Sequence, residues 1–239
     1  MKLSILMPVF NEAQTIAAVV ERVQAVPINQ EIVLVDDASS DGTAGIVDRL
    51  VSRRVWVLHH ATNQGKGAAV RTALAAATGD LIVIQDADFE YDPNDFVRMM
   101  APIAAGEAEV VYGVRSLKSQ HGIMRFGNWL ITAAANLFYR KNLRDIETCY
   151  KMMWREIALR LELECCRFDI EAEITAKLLR LGYAIHEVPS NYTARYDKKK
   201  LSPWDGLPTL RALWKYRHWR PSFGSIEQLS PTKPEISLH

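Results

Sequence analysis

The chain has 239 residues and a net charge of +1, with 29 Lys and Arg against 28 Asp and Glu. Such a length suits one α/β domain with a substantial core, and the balanced charge argues against general nucleic-acid binding, which favours a strongly basic domain. Its three cysteines, Cys149, Cys165 and Cys166, form neither a disulfide framework nor a zinc spacing and fit a reduced, cytoplasmic setting.

Leu3–Val9 is an apolar run that gives way at once to Asn11 and Glu12, so it reads as a first core strand and not as a signal peptide. An amphipathic helix is expected over 13–26 and a second strand over 31–35. The polar loop Asp36-Asp37-Ala38-Ser39-Ser40-Asp41-Gly42 then leads into a helix over 43–51 and a third strand over 54–58. Asn63-Gln64-Gly65-Lys66-Gly67 opens an alanine-rich helix ending near Thr78-Gly79, and a fourth strand, 81–85, runs into Asp86-Ala87-Asp88. Continuous apolar strands separated by helices predict a parallel sheet buried on both faces. Ligands bind such sheets at the carboxyl ends of the strands, where all these polar loops fall.

After Pro93 the pattern loosens. Helices are expected over 95–105, 125–140 and 171–181, the last stopped by Gly182. Strands are expected over 109–112 and 150–154, with short extended segments at 184–188 and 191–195. From Leu201 the chain is rich in Trp, Pro and basic residues, and 222–239 reads as a flexible tail. No apolar run reaches the ~20 residues needed to cross a bilayer, so membrane contact would be peripheral.

Asp86 and Asp88 end a buried strand, with Glu90 just beyond. In an extended segment alternate side chains share a face, so the three carboxylates can converge. Held together they repel unless a cation neutralises them, and an all-oxygen set favours Mg²⁺ or Mn²⁺. The plain alternative is a solvated acidic turn before a helix. Pro8, Phe10, Asn11, Glu12, Asp36 and Asp37 come to the same edge. Asn11 can bond a base or ribose and Asp36 a ribose hydroxyl, whereas helix capping is the simpler role for Asp41. Lys66, at a helix N-terminus between two glycines, suits a phosphate or the nearby base, or else is a solvated lysine in a plain turn. The spacing matches neither a Walker A loop nor a dinucleotide fingerprint, which weighs against kinases and dehydrogenases.

Pro8-Val9-Phe10-Asn11-Glu12, Asp36-Asp37 with Ser39-x-Asp41-Gly42, Asn63-x-Gly65-Lys66-Gly67 and Asp86-Ala87-Asp88 occur in the order seen in family 2 glycosyltransferases. Tyr112-Gly113-Val114-Arg115, the segment Asp145-Ile146-Glu147-Thr148-Cys149-Tyr150-Lys151, the segment Arg167-Phe168-Asp169-Ile170-Glu171-Ala172-Glu173-Ile174 and Glu187-Val188-Pro189 resemble the dolichyl- or polyprenyl-phosphate mannosyltransferase-like branch. The likeness implies a GT-A fold, with a Rossmann-like, mostly parallel sheet flanked by helices and a C-terminal acceptor-side region. It implies a single domain over 1–221, its nucleotide-sugar-binding half 1–92 and its acceptor-side half 93–221. It further implies inversion at the sugar carbon, a divalent metal at Asp86 and Asp88 beside Ala87 and Glu90, and a GDP- or UDP-hexose donor. Arg115, Arg125 and Arg195 would handle the acceptor and donor phosphates, and a basic loop at Lys198, Lys199 and Lys200 would close over them.

A phosphate acceptor such as polyprenyl phosphate is ionised at neutral pH and needs no general base. A hydroxyl acceptor would need one, with Asp169 and Glu171 as candidates unless they are surface charges opening a helix. A sugar-phosphate nucleotidyltransferase shares the sheet and the carboxylates, and a silent nucleotide-sugar-binding module would share the cleft. Leu207, Leu210, Leu213, Trp214 and Tyr216 alternate with Arg211, Lys215, Arg217 and Arg220, flanked by Trp204 and Trp219. That mixture suits an interfacial helix on the inner membrane face, or a C-terminal helix packed on the domain.

Overall fold

The computed structural model describes residues 1–116, 122–194 and 206–222. In chain order it runs β1 (Leu3–Val9), α1 (Ile16–Gln24), β2 (Gln30–Asp36), α2 (Thr43–Asp48), β3 (Val55–His59), α3 (Lys66–Ala76), β4 (Leu81–Ile84) and α4 (Asp95–Ala104). There follow β5 (Val110–Arg115), α5 (Gly122–Tyr139), β6 (Lys151–Trp154), α6 (Arg155–Arg160), α7 (Ile170–Arg180), β7 (Ile185–Ser190) and α8 (Gly206–Tyr216). The strands form one sheet in the order β3-β2-β1-β4-β6-β5-β7.

The first four strands are parallel, as their apolar runs predict. β2 is buried at every position, Gln30 to Asp36, because α3 packs over it and β1. The sheet is mostly parallel, as the family likeness implies, and the one exception is β6, which runs antiparallel between β4 and β5. Four residues, Lys-Met-Met-Trp, carry no mark of direction, since an apolar strand reads alike either way. The six-residue α6 that follows it is too short to show a helical period.

Glu31 stands in the middle of buried β2 and is fully engaged. Its carboxylate accepts from Ser4 Oγ at 2.6 Å, the Thr78 N–H at 2.7 Å and Lys2 Nζ at 2.5 Å. Burial opposes the charge, but these donors outweigh it and hold the carboxyl down at about 2.

A second, smaller core joins Ile131 and Ala135 of α5, Ala172 and Ala176 of α7, and Leu213 and Tyr216 of α8. The C-terminal helix packs on the domain: Ala212, Leu213 and Tyr216 are buried, while Leu207 and Trp214 face outward. Trp219 packs partly against the same core. Trp204, Arg195, the lysines at 198–200 and residues 223–239 lie outside the described residues.

Candidate active site

The loops at the carboxyl ends of β1, β2 and β4 meet. Asn11 and Ala38 have positive φ, 53° and 59°, conformations that side chains adopt only when their surroundings hold them. Asn11 Oδ1 accepts from the Ser40 N–H at 2.8 Å, and its own N–H donates to Ser39 Oγ at 2.9 Å. The Glu12 N–H donates to Thr43 Oγ1 at 2.9 Å. Thr15 Oγ1 lies 2.8 Å from Glu12 Oε2 and 2.9 Å from the Ala87 carbonyl, which ties the first loop to Asp86-Ala87-Asp88. Pro8 and Phe10 line this edge half-buried.

Asp36 and Asp37 are both buried and already have protein partners. Asp36 accepts from the Ser39 N–H at 3.3 Å and lies 3.2 Å from His59 Nδ1. Asp37 accepts from the N–H groups of Gln64 at 2.9 Å and Gly65 at 2.7 Å, and from His60 at 2.7 Å. Asp37 is therefore a latch that shapes the glycine turn. Asp41 accepts from the Thr43 N–H at 3.1 Å just ahead of α2, whose N-cap position is held by Gly42.

The glycines of Gly65-Lys66-Gly67 permit close approach of backbone. A Cβ on Gly67 would sit 2.5 Å from the Cys165 carbonyl oxygen, and Gly65 has φ +94°. The Ala68 N–H, in the first turn of α3, donates to the Cys166 carbonyl at 3.2 Å. Lys66 is no solvated turn lysine. Its Nζ lies 2.7 Å from Asp86 Oδ1 and 3.0 Å from Glu171 Oε1. Glu171 Oε2 in turn accepts at 2.5 Å from Lys151, a fully buried lysine that also donates to the Ile146 carbonyl at 2.9 Å. The result is a line of alternating charge, Asp86–Lys66–Glu171–Lys151. Burial alone would depress the Lys66 ammonium, yet Asp86 and then Glu171 hold it well above the usual lysine value.

Asp88 accepts from the Glu90 N–H at 3.0 Å, and Glu90 accepts from Tyr192 Oη at 3.0 Å. Among the described residues no three or more His, Cys, Asp or Glu side chains are arranged to hold a metal ion, so the expected trio of Asp86, Asp88 and Glu90 is not assembled as a cage. The reason is visible: Asp86 is drawn to Lys66, and Glu90 to Tyr192. Excess negative charge remains nonetheless. Burial first, then Asp86, Glu90 and Glu12, push the Asp88 carboxyl up to about 7. Asp86 and Asp88 therefore fit a divalent cation, which would relieve that repulsion.

At the end of β5, Arg115 is clamped by Asp145, Nε to Oδ2 at 2.7 Å and Nη2 to Oδ1 at 2.8 Å, and lies 5.3 Å from the Tyr192 ring centroid. Its Nη1 has no hydrogen bond among the described residues. Asp145 stands in the sequence only within the family-like segment 145–151, without a site role, because a lone acid in an irregular stretch shows no sign of the arginine it faces. The same holds for Glu147: its Oε1 is buried without a hydrogen-bond partner, and burial lifts its carboxyl to about 7, with Lys151 opposing. Asp169 is half-buried just before α7 and accepts from the Arg167 N–H at 3.2 Å. Glu171 is buried, not a surface charge. Arg125 is exposed on α5, away from these contacts, and Arg195 is not described. Beside Asp145 a cavity of about 330 Å³ opens between α5 and the segment 142–145, lined by Asn128, Trp129, Thr132 and Arg144 among others.

The model of the family described as Glycosyl transferase family 2 matches residues 4–161, more than half of the chain. A polyprenol monophosphomannose synthase of Mycolicibacterium smegmatis is 26% identical over 231 residues, covering 90% of this chain and 85% of its own. A dodecaprenyl-phosphate galacturonate synthase of Rhizobium johnstonii is 33% identical over 122 residues, 48% of this chain and 36% of that one. Among solved structures, glucosyl-3-phosphoglycerate synthase of Mycobacterium tuberculosis with UDP superposes with a TM-score of 0.72 at 18% identity, covering 92% of this chain and 82% of that chain. The same enzyme has been solved with Mn²⁺ and UDP-glucose, TM-score 0.69. The fold and this family match together identify the chain as a glycosyltransferase belonging to family 2.

Proposed function

We propose that this enzyme transfers a hexose of the mannose or glucose type from a nucleoside-diphosphate sugar to a polyprenyl phosphate, with inversion and with a divalent metal. The similar synthases of M. smegmatis and R. johnstonii, whose names carry polyprenol and dodecaprenyl phosphate, support the acceptor. The UDP, UDP-glucose and Mn²⁺ bound by the structural neighbour support the donor class and the metal, with the choice between UDP and GDP resting on the assay below.

Asp86 and Asp88 would hold the ion, which when bound supplies Lewis-acid stabilisation of the departing diphosphate. The chain's own residues do the rest. Lys66 fixes Asp86 and adds a nearby positive charge. Arg115, oriented by Asp145, offers its remaining amino group to a phosphate oxygen. The observation that carries the acceptor reading is the state of Glu171. Both of its oxygens face a lysine, Lys66 and Lys151, so neither is directed at an acceptor hydroxyl, and an ionised phosphate needs no base.

One observation favours a second reading, a hydroxyl acceptor: Glu147, with its unpartnered oxygen and raised carboxyl, has the properties of a general base. Transfer of labelled sugar from UDP- and GDP-hexoses to polyprenyl phosphate, run beside sugar alcohols, separates the two. Product on the lipid phosphate alone, with Glu147→Gln retaining activity, supports the first. Product only on hydroxyls, abolished by Glu147→Gln, supports the second. No helix among the described residues is long and apolar enough to cross a membrane; the polyprenol-linked relative supports our proposal of peripheral contact with the inner membrane face.

A further inference from the structure

Two packed helices leave a continuous apolar face in solvent. On α5, Phe126 is 61% exposed, Trp129 62% and Leu137 76%; on α8, Leu207 is 67% exposed and Trp214 53%. Phe126, Leu130 and Leu137 fall four and seven residues apart, one stripe of a helix. The two helices are fixed side by side by their shared core, by Tyr139 Oη donating to the Leu213 carbonyl at 2.8 Å, and by Phe138 against Trp214 at 5.6 Å. Side chains of this size are ordinarily buried, and a grouped patch marks a binding surface.

Charge identifies what the surface meets. Residues 122–144 and 206–222 contain eight Lys and Arg and not one Asp or Glu, in a chain whose totals are 29 and 28. Lys215 is paired with Glu164 and Arg144 with Glu187. Arg125, Arg140, Lys141, Arg211 and Arg220 are exposed. Arg217 lies flat over Trp214, 3.2 Å from the ring centroid. Aromatic and aliphatic side chains that can sink below headgroup level, rimmed by cations that stay at it, match an anionic bilayer surface. Trp129 belongs both to this face and to the lining of the cavity beside Asp145.

We propose that the α5–α8 face docks the enzyme on anionic membrane, opening the cavity beside the Arg115–Asp145 pair toward the lipid headgroups. This deepens the peripheral association proposed above and rests on it.

The test is co-sedimentation of the full chain with vesicles of phosphatidylcholine alone or mixed with phosphatidylglycerol, without polyprenyl phosphate. Binding is expected on the anionic vesicles, weak on the neutral ones, and reduced at about 0.5 M salt, where the Debye length falls to about 4 Å. Phe126→Glu with Leu137→Glu should lower anionic binding about tenfold, since both an inserted surface and a favourable charge are lost. Arg140→Glu with Arg211→Glu should weaken it similarly while leaving the apolar face intact, and Val51→Glu, exposed elsewhere, should leave it unchanged. Transfer to a short, water-soluble acceptor phosphate is measured on each variant. Activity kept while vesicle binding falls supports the docking face. Undiminished vesicle binding by both double variants overturns it, as does a dimer in sedimentation velocity that Phe126→Glu with Leu137→Glu dissolves. Loss of transfer by the unaltered enzyme on every acceptor counts against the proposed function instead.

Discussion

Replacing Lys66 with Met removes the cation that separates two acids. The Lys66 ammonium lies 2.7 Å from Asp86 and 3.0 Å from Glu171, in a side chain only 12% exposed. Breaking a buried pair by deleting one partner costs about 3–5 kcal/mol, because the remaining charge is left uncompensated. Two features pull the value to the low end: Asp86 is 27% exposed, and Glu171 keeps Lys151. About 3 kcal/mol is therefore expected, a fall in Tm of about 6–12 °C for a chain of this size. Thermal unfolding followed by circular dichroism in a chelating buffer measures it. Asp86→Asn, which leaves the Lys66–Glu171 contact, should cost about half as much. A change below about 2 °C for Lys66→Met would refute the view of this charge line as a structural element of the site.

Glu31 governs the acid limb of stability. Its folded carboxyl, at about 2, lies below the ordinary 4.5, so the folded state releases this proton more readily than the unfolded one. The resulting stabilisation, about 3 kcal/mol, is complete above pH 4.5 and is lost as pH falls through 2. Urea unfolding across pH 2–6 should therefore show a flatter acid limb in Glu31→Gln. Gly67→Ala drives a Cβ to 2.5 Å from the Cys165 carbonyl and should destabilise by about 1–3 kcal/mol, read from the urea midpoint. Arg115→Lys loses the two-pronged contact to the buried Asp145 and should lower kcat/KM about 100-fold, with a fall in Tm smaller than that of Lys66→Met because the lysine keeps a positive charge beside Asp145.

The half of the fold that gathers polar loops at the edge of β1, β2 and β4 was legible because each strand is a continuous apolar run and each loop is abruptly polar. The reversal at β6 was not, since direction is decided by where β5 leaves a vacant neighbour, a tertiary matter. Sequence placed Asn11, Glu12, Asp36, Asp37, Lys66, Asp86 and Asp88 at one edge, and they meet there. It did not foresee that Asp37 is spent on the amides of Gln64 and Gly65, or that Lys66 pairs with Glu171, far along the chain. Long-range ion pairs leave no periodic trace. Arg115 stands out through the family likeness, but its clamp, Asp145, and the half-buried Glu147 lie in a stretch without regular structure.

The central claim is that Asp86 and Asp88 hold a divalent cation against the diphosphate of an activated sugar. Thermal unfolding with UDP- and GDP-hexoses, each with Mn²⁺, Mg²⁺ or chelator, tests it most directly. The account predicts that one donor raises the Tm only when metal is present and that Asp88→Ala erases the increase. A donor that stabilises equally in chelator, or an Asp88→Ala enzyme that responds as the unaltered one does, would contradict it.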